Sequence, residues 1–177
     1  FPATAALIQK KLNISAVSFD VQAVCAGFVF AISVAKSMML DNSYKNCLVI
    51  GADSMSKLLN WEDRTTSVLF GDGAGAVILE KYKIGHQFSK EEKWGILSNV
   101  IYSDGNFQDL LYTDGGVSSS KTTGSIRMQG KEVFKHAIEK LSKSFLDALK
   151  KSNVALEDID WVVPHQANQR IINSVAD

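Results

Sequence analysis

Apolar positions along this chain alternate between helical and extended rhythms, and each change of rhythm marks an element. Ala5, Leu7, Ile8 and Leu12 keep roughly helical spacing behind Pro2, a residue suited to a first helical turn. Residues 17–21 predict a short strand. Cys25 then opens a predicted helix running to about Leu40, apolar nearly all round and so expected to be buried, which Asp41-Asn42-Ser43 ends. Residues 47–52 are continuously apolar, as a strand covered on both faces would be. A polar loop containing Arg64 follows, and the glycine-rich run Gly71-Asp72-Gly73-Ala74-Gly75-Ala76 leads into another predicted buried strand over 77–80.

The second half repeats the alternation. Residues 81–93 are polar and charged and mark a candidate domain boundary; 95–103 predict a strand. Residues 105–123 form a loop rich in Gly, Ser, Thr and Asp that could hold a hairpin around 110–113. Val133, Phe134, Ala137, Leu141, Phe145 and Leu149 line one side of an amphipathic helix from Gly130 to about Lys151. Residues 161–163 predict a buried strand, and Asn168 is placed to cap a helix running to the chain end. Buried strands alternating with helices predict an α/β fold with a mostly parallel sheet.

Composition narrows the function classes. Nineteen Lys and Arg balance nineteen Asp and Glu, which removes the electrostatic argument for nucleic acid or an anionic membrane as partner. The longest apolar stretch, 26–35, is broken by Ser33 and followed by Lys36; it is too short to span a bilayer. Two cysteines make no disulfide framework, so a reducing cytoplasm is the natural reading. The separation of Cys25 and Cys47, and the scatter of His86, His136 and His165, argue against a metal site. The start at Phe1 and the stop at Asp177 within a helical pattern read as those of a piece of a longer protein.

Candidate chemistry lies at two element edges. Most cysteines outside disulfides are core residues, and Cys47, mid-strand, reads so. Cys25 is predicted at a helix N-terminus, where backbone N–H groups favour the thiolate and could receive an oxyanion, and Ala26 and Gly27 leave room for a substrate. His165 follows Pro164 at the end of a predicted strand, where α/β folds place their ligands. Cysteine and histidine so placed are the materials of acyl transfer through a thioester. His86, in a charged loop, and His136, beside Glu132, Lys135 and Glu139, read as solvated. The run 71–76 lacks Gly-Lys-Ser/Thr and precedes a strand, so it reads as a tight turn with close backbone packing, not a phosphate loop.

Several phrases then occur in one order over nearly the whole chain: Phe1-Pro2-Ala3-Thr4-Ala5-Ala6, Asp20-Val21-Gln22-Ala23-Val24-Cys25-Ala26-Gly27-Phe28, Asp63-Arg64, Phe70-Gly71 through Ala76, Gly130 to Lys135, and Trp161 to Arg170 with Pro164-His165-Gln166-Ala167-Asn168 at its centre. Together they resemble the β-ketoacyl-acyl-carrier-protein synthase III family, initiating condensing enzymes of type II fatty-acid synthesis. The resemblance implies a thiolase-like layered αβαβα fold with mostly parallel or mixed sheets, incomplete at both ends. Residues 1–82 would be the remainder of the N-terminal half carrying the nucleophile, and 83–177 the first part of the C-terminal half carrying the catalytic histidine.

Roles follow from the same resemblance. Cys25 would take an acyl group, typically acetyl, from acyl-CoA, and His165 would help stabilise the enolate of decarboxylated malonyl-acyl-carrier protein. Arg64 matches a position at the CoA adenine, Gly130 and Phe134 match pantetheine-tunnel residues, and Asn168 matches a polar tunnel residue. Gln166, Ala167, Asn168, Gln169 and Arg170 match a carrier-protein docking segment, and Phe1 matches a residue closing the acyl pocket of a partner in a homodimer. Acyl-CoA is a substrate here, and no resident cofactor or metal is implied. The family's second catalytic side chain, an asparagine, falls after residue 177, its CoA-contacting tryptophan and arginine fall before residue 1, and Thr65 stands where many members have glycine. An alternative reading is a truncated or split-gene fragment that keeps core and dimer surfaces without catalysis.

Overall fold

The structure, a computed structural model, describes residues 1–41, 43–81 and 95–176. It divides into two compact units: one holds Phe1–Gly51 and Ala76–Lys81, the other Ala52–Gly75 and the described residues from Gly95 onward.

In the first unit, helix α1 (Thr4–Leu12) has no capping side chain of its own. Asp20 supplies one from a distance: the Thr4 and Ala5 N–H groups donate to its two carboxylate oxygens, each at 2.8 Å, which meets the first orphan donors of the helix with a negative charge. Asn13 closes α1 in the left-handed conformation (φ 52°), and its N–H donates to the Lys10 carbonyl. A 3₁₀ turn, Val24–Ala26, leads directly into α2 (Gly27–Leu40). α2 ends at Leu40, as the polar run after it predicts, but only Ala35 and Met39 along it are buried. A helix apolar on every side needs cover on every side, and the described residues cover only part of it.

Strand β1 (Asn46–Ser54) and strand β2 (Asp72–Glu80) form a two-stranded sheet. The Lys81 N–H donates to the Lys45 carbonyl at 2.8 Å, and Ser56 donates through N–H and hydroxyl to the Asp72 carboxylate. Lys45 thus meets Lys81 while Ser56 meets Asp72, so the strands run antiparallel. β1 appears where the apolar run predicts it, with Val49 buried, and a Cβ on Gly51 would lie 3.2 Å from the Phe28 ring of α2. β2 corrects two expectations. It begins at Asp72, so most of the glycine-rich run is strand and not turn; a Cβ at Gly73 or Gly75 would meet nothing within 4 Å. Pairing with β1 overrides the turn preference of those glycines, and the strand is exposed over most of its length.

In the second unit, β3 (Leu111–Thr113) pairs antiparallel with β4 (Ile126–Met128), so residues 111–113 are one arm of a hairpin whose other arm lies beyond the predicted loop 105–123. Helix α3 (Gly130–Ser152) matches its predicted stripe and ends, like α1, at a left-handed asparagine, Asn153. Helix α4 (Gln169–Ala176) packs on α3, and Ile171 is its buried residue.

Three predicted strands form no ladder among the described residues: 17–21, 95–103 and 161–163. A β-rich sequence becomes a strand only where a neighbouring backbone takes up its N–H and C=O groups. Residues 98–104 instead lie along α3: Ser98 donates to the Ala148 carbonyl, Tyr102 to Asp147, and Lys151 and Lys140 reach the Asn99 carbonyl and Asp104. Trp161 and Val163, expected to be buried, are exposed, because no described element covers them.

Candidate active site

Cys25 sits in the middle of the 3₁₀ turn, two residues ahead of the first residue of α2, and not at the helix start that its sequence predicts. The residue before it explains the offset. Val24 has φ 49°, a left-handed conformation that costs a β-branched side chain order 1–3 kcal/mol. The bend is fixed by the Ala26 N–H, which donates to the Ala23 carbonyl at 3.1 Å, and by the Gly27 N–H, which donates to the Val24 carbonyl. Strain of this kind persists where surroundings impose it and gathers at functional sites. α2 has no capping side chain at its N-terminus, so the first-turn amides present positive partial charge on the side from which Cys25 precedes them. The Cys25 side is exposed. Cys47 behaves oppositely: it is half-buried in β1, and burial pushes its thiol above the ordinary cysteine value, which suits an inert core residue.

His165 lies in the second unit, on the exposed stretch between residues 161 and 168. Around it the backbone is held by local bonds: the Gln166 side-chain amide donates to the Pro164 carbonyl, and the Asn168 carboxamide oxygen accepts from the Ile171 N–H at 3.0 Å. The latter is the N-cap of α4 that the sequence predicts. Asn168, expected to face a tunnel, therefore also holds the start of the helix that follows the histidine.

The other candidates fall into place within their own units. Phe1, fully exposed, shares the first unit with Cys25. Gly130 is the first residue of α3 and Phe134 lies one turn on. Arg170 of α4 places its guanidinium carbon 5.5 Å from the centre of the Phe134 ring, so a predicted docking residue touches a predicted tunnel residue. Gln166 and Gln169 are exposed and Ala167 half-buried. Gln169 bonds to Asn173 along α4 at 2.7 Å. Arg64 is exposed on a turn whose flanking residues are tightly bonded. His136 departs from its solvated reading: it is half-buried, with its ring 4.1 Å from that of Phe107. His86 lies outside the described residues. Sequence reasoning missed Val24, since nothing in a Val-Cys pair signals a positive φ, and it gave Asp63 no role although it singled out the Asp63-Arg64 pair.

Among the described residues no group of three or more His, Cys, Asp or Glu could hold a metal ion, and no helix is long and apolar enough to cross a membrane.

A sequence-family model for 3-oxoacyl-[acyl-carrier-protein] synthase III matches residues 19–105, and its C-terminal counterpart matches residues 149–177. Cys25 falls in the first match and His165 in the second. The β-ketoacyl-[acyl-carrier-protein] synthase III of Dinoroseobacter shibae is 52% identical over 99% of this chain and 54% of its own length. That of Rhizorhabdus wittichii is 48% identical over 99% and 53%. The chain belongs to the 3-oxoacyl-[acyl-carrier-protein] synthase III family. It spans about half the length of the curated relatives it matches. Among solved synthase III structures, that from Aquifex aeolicus VF5 superposes with a TM-score of 0.86 at 41% identity, covering 99% of this chain and 53% of that one. The Thermus thermophilus structure gives 0.87 at 35% identity with the same coverage. The fold is therefore that of the thiolase-like condensing enzymes, with mixed α and β content, and this chain supplies about half of it.

Proposed function

We propose that the protein carrying this chain is an initiating condensing enzyme of type II fatty-acid synthesis. It transfers an acyl group, typically acetyl, from acyl-CoA through a thioester on Cys25 to malonyl-acyl-carrier protein. The observation that carries this reading is the strained turn at Val24, which sets an exposed cysteine just ahead of an uncapped helix N-terminus in a member of the synthase III family.

The chemistry has two halves. In the first, the Cys25 thiolate adds to the acyl-CoA carbonyl, the oxyanion is met by backbone N–H groups near the start of α2, and the bond to CoA sulfur breaks. CoA departs as its thiolate, which takes up the proton that Cys25 gave up on ionising, and the acyl group stays on Cys25. In the second, malonyl-carrier protein loses carbon dioxide, and the electron pair of the broken bond becomes an enolate. His165, donating from a ring N–H, would meet the charge as it develops. The carbanion attacks the acyl-Cys25 carbonyl, the thiolate leaves, and a β-ketoacyl-carrier protein is released.

Arg64 would meet the adenine end of CoA, with Gly130, Phe134 and Asn168 along the pantetheine arm. Gln166, Ala167, Asn168, Gln169 and Arg170 would form the carrier-docking edge, where Arg170 supplies the positive charge that an acidic carrier seeks. Phe1 would close the acyl pocket of a partner in a homodimer. Residues 1–82 and 83–177 would belong to the N- and C-terminal halves of the enzyme, which works in the cytoplasm without a resident cofactor. The test supplies the intact protein with acetyl-CoA and malonyl-carrier protein. Acetoacetyl-carrier protein and carbon dioxide should form together and vanish together in Cys25→Ala. Condensation at the wild-type rate in that variant would refute the reading.

A further inference from the structure

Asp63 and Arg64 are neighbours of opposite charge, yet among the described residues Arg64 joins no ion pair. The carboxylate of Asp63 is engaged elsewhere. One oxygen accepts from the Thr65 N–H at 3.0 Å and from the Thr65 hydroxyl at 2.6 Å, while the other accepts from the Thr66 hydroxyl at 3.1 Å. The Asp63 carbonyl also accepts from the N–H groups of Thr66 and Ser67, and the Asp63 N–H donates to the Asn60 carbonyl. Thr66, 1% exposed, is the buried polar residue of the described core. It anchors this knot to the interior.

From these bonds we infer that Asp63 is a positioning residue: by binding Thr65 and Thr66 it fixes the turn on both sides of Arg64 and leaves the guanidinium available to the nucleotide end of CoA. The inference rests on the proposed role of Arg64. Its physical content is preorganisation. An arginine on a mobile turn spends much of its binding energy on ordering the backbone as well as its own side chain, and a turn already fixed removes the first part of that cost. Thr65 sharpens the point, because its hydroxyl contributes the shortest bond in the knot. The hydrogen bonds from the Thr65 side chain and N–H lead the causes that hold the Asp63 carboxyl below its ordinary value; the Thr66 hydroxyl and the charge of Arg127, itself bridged to Asp114, add to them. Asp63 therefore stays an acceptor at neutral pH.

The test uses two acyl donors with the intact protein: acetyl-CoA, and acetyl-pantetheine, which lacks the nucleotide. Asp63→Ala should raise KM for acetyl-CoA about tenfold with kcat within about twofold, the pattern of lost uniform binding. Its kinetics with acetyl-pantetheine should match wild type. Asp63→Asn keeps one carboxamide oxygen for both Thr65 donors and should recover most of the loss. Should Asp63→Ala fold poorly, Thr65→Val should raise KM for acetyl-CoA about threefold and Thr65→Ser restore it. Arg64→Ala separates the two layers of argument. If it raises KM for acetyl-CoA while Asp63→Ala and Thr65→Val do not, the positioning role is wrong and the reading of Arg64 stands. If Arg64→Ala treats both donors as wild type does, the reading beneath it falls. Equal damage with both donors in Asp63→Ala would mark a merely structural turn and overturn the proposal.

Discussion

Around Cys25 the backbone is bent against its own preference, whereas around His165 it follows it. Val24 is held at φ 49°, the turn closes within four residues, and the helix behind it starts without a cap. The stretch before His165 carries no ladder and no positive φ, and order resumes only at Asn168, which caps α4 as its residue type prefers. The turn that carries the proposed nucleophile is thus closed by bonds within its own few residues. The bonds around His165 lie beside and after it, at Gln166 and Asn168, while Trp161 and Val163 before it are apolar and exposed. One proposed catalytic residue follows a strained turn, and the other lies in a stretch with neither strain nor ladder among the described residues.

Substitutions in the two segments should have separable consequences. His165→Ala in the intact protein should lower condensation about a hundred- to thousandfold and leave acetylation of Cys25 at its wild-type rate, because the proposed mechanism uses the two segments in separate steps. Stopped-flow release of CoA against steady-state formation of β-ketoacyl-carrier protein reads the split; equal loss in both would merge what the comparison separates. Val24→Gly comes next. It removes order 1–3 kcal/mol of backbone strain and returns roughly 0.5–1 kcal/mol through the freedom of glycine in the unfolded chain. The denaturation midpoint should rise while Cys25 acetylation slows, and a lower midpoint would show that the positive φ is not strained.

Asn168→Ala should cost about 1 kcal/mol of stability, read by urea unfolding, and Asn168→Asp should keep it. No change in the alanine variant would detach the α4 cap from the histidine segment's order. The smallest effect is on pH. Asp114 accepts from the Ser125 N–H at 2.7 Å and is bridged to Arg127; these bonds, the backbone one first, hold its carboxyl below 3.8. A carboxyl depressed in the folded state contributes stability that is fully present above the unfolded value and is lost as pH falls through the folded one. Melting temperature should therefore decline below about pH 4, and Asp114→Asn should flatten that decline slightly. An unchanged slope would remove Asp114 from the acid response.

What the sequence made legible divides along the same line. The stripe on α3, the cap at Asn168 and the apolar run of β1 are short-range patterns, and each appears where expected. Cys25 and His165 stand out because their neighbours form ordered phrases. The positive φ of Val24 could not be read, since it is imposed on a residue that disfavours it. Residues 98–104 have the composition of a strand but are claimed by side-chain bonds to α3, and nothing local distinguishes those fates. The glycines of 71–76 read as a turn because a lone glycine run favours one, and only the pairing of β1 with β2 makes them a strand. Asp63 was visible as a letter beside Arg64, but its work depends on which way its bonds go.

Whether Cys25 carries the acyl group is read by peptide mapping with mass spectrometry of the intact protein after brief exposure to acetyl-CoA. One acetyl group is expected, on the peptide containing Cys25, labile to hydroxylamine and absent from Cys25→Ala, with Cys47 unmodified. Acetyl on Cys47, or an undiminished adduct in Cys25→Ala, would contradict that role for Cys25.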